Sequence, residues 1–165
     1  MQKIILVAIL IAIALVFIKC KSKPKKSLIV GDKVPEFNLL DQDGTNFNIS
    51  EYIGKRAMVI YFYPKDDTPG CTKEACKFRD EFEVFSALNV KVIGISSDDV
   101  GSHKAFAEKN NLPFSLLADT EKKVRSLFGV PTFGAGLIPG RVTYIIDNKG
   151  VVKFVFNNIT EGETY

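Results

Sequence analysis

The chain has 165 residues, with 22 Lys and Arg against 19 Asp and Glu, three Cys, one His and no Trp. That length holds one domain and excludes a large multidomain enzyme; a lone His excludes a multi-His metal site, and three Cys are too few for a disulfide scaffold. Residues 1–26 carry six Lys and no acid, so residues 27–165 are net −3 and offer no basic body to nucleic acid.

The leader comes first in chain order. Ile4–Ile18 is an unbroken apolar run of 15 residues between Lys3 and Lys19. As a helix it reaches about 22 Å, short of the roughly 30 Å hydrocarbon core. Residues 1–18 therefore read as a hydrophobic anchor helped by bilayer thinning or lysine snorkelling, or as a signal segment. Cys20 raises a lipoprotein reading, although Phe17-Ile18-Lys19 are not the small residues a lipidating peptidase uses. The five Lys after the run favour a cytoplasmic body, whereas export puts it on the other side. The expected location is membrane-associated through residues 4–18. Residues 19–27 are a basic linker, and 28–165 are the folded domain.

Within that domain, Phe37–Leu40 and Thr45–Ile49 flank Asp41-Gln-Asp-Gly44 as a short hairpin. Ser50 is a cap for a short turn that stops at Gly54. Ala57–Tyr63 is a continuous apolar run, the mark of a central strand buried on both faces. From Cys71 the pattern turns helical, with Ala75, Phe78, Phe82 and Phe85 at i+3/i+4 spacing. Val90–Ile95 is a second buried strand, Ser102–Asn110 a short helix and Phe114–Ala118 a strand. Asp119 or Thr120 caps a helix that runs through Phe128 and ends at Gly129. Val142–Asp147 and Val151–Asn157 flank Asn148-Lys-Gly150, a hairpin signal. This order predicts an α/β domain with a mixed sheet.

The chemistry concentrates in Tyr61-Phe-Tyr-Pro-Lys-Asp-Asp-Thr-Pro-Gly-Cys-Thr-Lys-Glu-Ala-Cys76. A buried strand ends, a Pro/Gly turn follows, and Cys71 sits where a helix begins. Free amides and the positive end of the helix dipole favour a thiolate there, and the thiolate is the nucleophile. The Thr68 hydroxyl is placed to bond the sulfur or an incoming oxygen, and Pro64 and Pro69 stiffen the turn. Cys76 follows at i+5. In an intact helix that puts the two Cα atoms about 8.7 Å apart, beyond the roughly 7 Å limit for a disulfide. Either the thiols never pair, or the first turns unwind. Asp66-Asp67 reads as a solvated turn and His103 as a surface residue. A metal site from Cys71, Cys76 and His103 lacks ligand spacing and a fourth ligand.

Pro64-x-x-x-Thr68-x-x-Cys71 resembles the peroxiredoxin active-site pattern, and the longer run through Cys76 is similar to the PrxQ group, also called bacterioferritin comigratory protein. Gly94-Ile-Ser-Ser-Asp98, Leu112–Asp119 and Pro139–Asp147 extend the similarity over roughly residues 28–158. The resemblance implies a thioredoxin-like fold, with a central mixed β-sheet flanked by helices and an N-terminal β-hairpin. It implies that Cys71 is the peroxidatic cysteine, that Pro64, Thr68 and Arg141 form the pocket, that Glu74 orients Arg141, and that Cys76 is the resolving cysteine. The implied cycle reduces hydrogen peroxide or an organic hydroperoxide and is recycled by thioredoxin or a similar dithiol. It needs no cofactor, metal, haem or flavin, and the chain is expected to act as a monomer. Members of the group usually continue into a final helix, whereas here the sequence stops at Tyr165, so either the sequence is a fragment or one sheet face is less covered. Two other readings use the same cysteines: a membrane-tethered thiol–disulfide oxidoreductase or copper-delivery protein, and a non-enzymatic redox sensor. The first lacks the C-x-x-C or C-x-x-x-C pattern of such proteins.

Overall fold

The computed structural model describes residues 26–133 and 138–158. Short strands β1 (Asn38–Leu40) and β2 (Asn46–Asn48) form the expected antiparallel hairpin. A single 3-10 turn, Ile49–Glu51, follows, capped by Asn48 accepting from the Ser50 amide rather than by Ser50 itself. The main elements are β3 (Ala57–Phe62), α1 (Pro69–Asp80), α2 (Phe82–Ala87), β4 (Val90–Ser96), α3 (Val100–Asn110), β5 (Ser115–Ala118) and α4 (Lys123–Phe128). They are followed by the two-residue strands β6 (Thr132–Phe133) and β7 (Ile138–Pro139), then β8 (Arg141–Ile146) and β9 (Val152–Asn158).

Five strands make one mixed sheet in the order β5-β4-β3-β8-β9. β3, β4 and β5 are parallel, and β8 and β9 return antiparallel beside β3. β3 alternates its side chains between two cores, which is why its sequence is apolar without a break. Met58, Ile60 and Phe62 pack on one face with Phe37, Phe47, Phe128 and Tyr144. Tyr61 and Tyr63 pack on the other with Ala75, Val92, Phe106 and Leu116. This is the thioredoxin-like arrangement that the motif implied.

The stripe Ala75, Phe78, Phe82, Phe85 lies on two helices, not one. The backbone leaves helical geometry at Glu81 (φ −97°, ψ 8°), and its N–H bonds to the Lys77 and Arg79 carbonyls. Apolar spacing survives such a break because both helices face the same core. α4 is capped at its start by Asp119, whose carboxylate accepts from the Val124 and Arg125 amides. It stops at Gly129 in the left-handed region (φ 63°). A side chain at Gly129 would also strike the Ser27 backbone at 2.5 Å, so only glycine lets the start of the domain cross there.

The anchor expected at residues 1–18 and the linker up to residue 25 lie outside the described residues. Among the described residues no helix is long and apolar enough to cross a membrane. The β8–β9 part of the sheet does carry an open apolar cleft beside α1 and α2. Phe78, Phe85, Ile145, Phe154 and Phe156 line it, and Phe154 is 52% exposed.

Candidate active site

The site lies at the carboxyl end of β3. Tyr63 ends the buried run, the turn from Pro64 to Thr68 crosses over, and Pro69 occupies the first position of α1. Proline is suited to that position because its fixed φ is already helical and it has no amide to leave unpaired. Thr68 is the N-cap residue but makes no side-chain cap. Its hydroxyl instead donates to the Lys65 carbonyl at 3.0 Å, and its own carbonyl accepts from the Thr72 amide at 2.9 Å. The hydroxyl proton is thus engaged by backbone rather than by the sulfur. Toward the site this hydroxyl offers lone pairs, because its proton is already engaged.

Cys71 sits in the first turn of α1, 1% exposed, packed in the cluster of Tyr61, Tyr63 and Ala75. Cys76 is half-buried on the same continuous helix, and both thiols are free. The Cys76 thiol faces α3, where Asn110 Oδ1 lies 4.0 Å away. The Asn110 amide is held by the Phe106 carbonyl at 2.9 Å, and the Asn110 carbonyl accepts from Arg79 at 2.8 Å.

Arg141 reaches this helix from far along the chain. The register Phe62↔Val142 places the start of β8 against the end of β3. From there Arg141 Nη1 donates to Glu74 Oε2 at 3.0 Å, both side chains being about four-fifths buried (20% and 17% exposed). Burial pushes the Glu74 carboxyl up, against the lowering pull of the Arg141 charge and hydrogen bond. The other end of the guanidinium lies over Gly70, where an added Cβ would come within 2.8 Å of Arg141 Nη2. Glycine next to the cysteine thus leaves the space that the cation fills. We expect Gly70→Ala to displace Arg141 and lower the rate of thiol oxidation about tenfold, by analogy with a weakened charge-stabilising contact. The melting temperature should hold or rise, since alanine favours a helix over glycine by up to about 1 kcal/mol. Stopped-flow oxidation and thermal melts check the two halves.

Two residues read from sequence as exposed are buried. Asp66 is 5% exposed and His103 is fully buried, with His103 Nδ1 at 2.9 Å from Asp66 Oδ2. The missed signal was helical spacing. His103, Phe106, Ala107 and Asn110 fall at i, i+3, i+4 and i+7, one face of α3. Among the described residues no group of His, Cys, Asp and Glu is arranged to hold a metal ion.

Fold and site together define a thioredoxin-like domain built around a buried thiol at a helix start, with an arginine held beside it. The pattern of the AhpC/TSA family matches residues 30–155, and the chain belongs to that family. Its relatives are Q-type peroxiredoxins. It is 51% identical over 135 residues to "Peroxiredoxin Q, chloroplastic" of Triticum aestivum, and 50% identical over 135 residues to the protein of the same name from Arabidopsis thaliana. Each match takes in 82% of this chain and 62% of the relative, so the chain spans just over three-fifths of the curated relatives' length. Among solved structures, peroxidoxin BcpB of Mycobacterium tuberculosis superposes with a TM-score of 0.72 at 38% identity, over 78% of this chain and 84% of that one. A cysteine-to-serine mutant of Xylella fastidiosa PrxQ gives 0.76 at 26% identity, over 82% and 89%.

These findings correct the expected location. The curated relatives are named chloroplastic, not as membrane proteins. Membrane association through residues 4–18, on either face, is set aside.

Proposed function

We propose that this domain is a thiol-dependent peroxidase acting on hydrogen peroxide and organic hydroperoxides. The observation that carries the reading is the Cys71 thiol, buried at a helix start that no side chain caps, one residue from the glycine over which Arg141 lies. Cys71 sulfur, as thiolate, attacks one oxygen of the O–O bond. That bond breaks, the sulfur is oxidised by two electrons to Cys71–SOH, and the other oxygen leaves as water or an alcohol after taking a proton. Helix amides and the Arg141 guanidinium stabilise the negative charge that moves from sulfur to the leaving oxygen. Thr68 accepts a hydrogen bond from the hydroperoxide, and Pro64 walls the turn. Glu74 orients Arg141.

Cys76 is the resolving thiol in this reading. Its sulfur displaces hydroxide from Cys71–SOH, forming a Cys71–Cys76 disulfide and water. Because five residues of intact helix hold the Cα atoms about 8.7 Å apart, the first turns of α1 must unwind for this step. Thioredoxin or a similar dithiol then reduces the bond by exchange and is itself oxidised. All electrons pass through sulfur, so no cofactor is called for. Both thiols lie on one helix, so one chain completes the cycle, which supports a monomer and a catalytic unit over residues 28–165. A Xanthomonas campestris bacterioferritin comigratory protein described for its alkyl peroxide reduction matches at 29% identity and a TM-score of 0.71, which supports alkyl hydroperoxides as substrates. The oxidoreductase, copper-delivery and sensor readings are not favoured.

Rapid mixing of the reduced protein with hydrogen peroxide, followed by mass analysis, tests the proposal: a Cys71–Cys76 linkage should form within one turnover. Cys76→Ser should still consume one equivalent of peroxide, but its turnover with thioredoxin should fall at least about tenfold, since no internal disulfide presents itself for exchange. Normal cycling by that variant would remove Cys76 from the resolving role.

A further inference from the structure

A buried polar cluster ties the active-site turn to α3, and the proposed chemistry does not use it. Asp66, between Pro64 and Thr68, accepts from the Tyr63 hydroxyl at 2.8 Å through Oδ1. Through Oδ2 it accepts from the Ser102 hydroxyl at 2.8 Å and faces His103 Nδ1 at 2.9 Å. The Asp66 amide donates to Asp98 Oδ2 at 2.9 Å, and Asp98 is in turn held by the Ser96 hydroxyl at 2.6 Å. Burial pushes the Asp66 carboxyl up, but the bonds from His103, Tyr63 and Ser102 outweigh it and hold the group below its ordinary value. Asp66 is thus an anion held on both oxygens by these neighbours. His103 Nε2 is buried with no hydrogen-bond partner among the described residues. The bonded nitrogen of the histidine, Nδ1, is directed at the turn.

This arrangement bears on the step in which α1 must open. The first helical bond, Thr72 N–H to the Thr68 carbonyl, hangs on the turn that Asp66 fixes. Swinging Cys71 around the helix axis toward Cys76 twists the chain behind it. Pro69 locks its own φ, which removes one of the dihedrals that could absorb the twist before it reaches Thr68 and Asp66. We propose that Asp66 and His103, with Tyr63 and Ser102, form a catch that holds the start of α1 closed, and that the catch sets how fast Cys76 reaches the oxidised Cys71. These are positioning residues: they act through the turn and touch no substrate. The inference rests on the resolving role given to Cys76 above.

A catch of this kind moves two steps differently. Attack on peroxide uses the closed helix, which dominates, so loosening the catch leaves that rate nearly unchanged. Disulfide formation uses the open fraction and rises in proportion to it. A second peroxide competes for the closed sulfenate, Cys71–SOH + ROOH giving Cys71–SO₂H + ROH, so over-oxidation falls as opening becomes easier.

The test is rapid quench of the reduced full chain with hydrogen peroxide, using thiol alkylation and intact-mass analysis, on the parent, Asp66→Asn and Ser102→Ala. Asp66→Asn removes the charge that accepts three bonds; disulfide formation should accelerate about tenfold, the scale of one hydrogen bond to a charged group. Ser102→Ala deletes one hydroxyl, leaves the histidine in place, and should accelerate it about threefold. In both, the initial oxidation rate should stay within about twofold of the parent, and the sulfinate yield at high peroxide should drop. A purely structural role would instead slow both steps together and lower the melting temperature. Disulfide formation no faster than the parent in folded Ser102→Ala overturns the catch while leaving Cys76 as the resolving thiol. A parent chain that never links Cys71 to Cys76 overturns the resolving role, and the catch with it.

Discussion

Cys71→Ser is expected to consume no peroxide above the background of an unactivated thiol, a loss of at least about a thousandfold of the kind seen when a nucleophile is removed. The expectation follows from where the sulfur sits. It is the one thiol in the first turn of α1, and serine there presents a neutral hydroxyl that remains protonated and attacks an O–O bond poorly. Cys76 cannot take over. It lies more than one turn further along the helix, directed at Asn110 on α3. The substitution exchanges one small buried side chain for another, so the fold should survive. Peroxide consumption with excess thioredoxin system, measured beside a thermal melt, checks both statements. Turnover within tenfold of the parent by a folded variant would refute the peroxidase reading.

The second large effect is expected at Arg141. Arg141→Ala removes the one cation lying over Gly70, and the rate of Cys71 oxidation should fall about 100- to 1000-fold, the scale for losing a preorganised donor to developing negative charge. Arg141→Lys should recover only part of it. A lysine is a point charge and cannot hold Glu74 with one nitrogen while presenting another over Gly70. The same change acts on stability. Without Arg141, burial alone governs Glu74, and its carboxyl moves further up than in the parent. A carboxyl raised in the folded state lends stability below its unfolded value and loses it as pH rises through the folded one. Arg141→Ala should therefore melt closer to the parent in mild acid than at neutral pH, and adding Glu74→Gln should flatten that slope. Melts at several pH values, on single and double variants, measure it.

Much of this site was legible along the chain. Pro64, Thr68, Cys71 and Cys76 are close in sequence, and their geometry follows from local rules. A buried strand must end, proline suits the first helical position, and a residue just inside a helix start meets the positive end of its dipole. β3 was legible for the same kind of reason, since seven apolar residues without alternation have to be covered on both sides. The break at Glu81 was not. An apolar stripe is continuous across two helices that share a core, and its period carries no mark of the joint.

Asp66 and His103 show the other limit. Two adjacent aspartates in a Pro/Gly turn look solvated, and a histidine beside serine and lysine looks exposed, because polarity is judged one residue at a time. Partners from Tyr63 and from α3 reverse that judgement, and those partners exist only once α3 packs on the turn. The location was not legible either: a 15-residue apolar run carries no mark of the compartment, and the chloroplastic names of the relatives overturn the membrane location.

What the amino-acid order determined by itself is a thiol at a helix start and a second thiol five residues on, both products of local backbone geometry. What only the tertiary structure decided is the company that thiol keeps. The register of β8 against β3 brings in Arg141, the missing side chain of Gly70 admits its guanidinium, and the packing of α3 supplies His103. Those contacts bridge dozens of residues, and nothing in the local sequence specifies them until the sheet has closed.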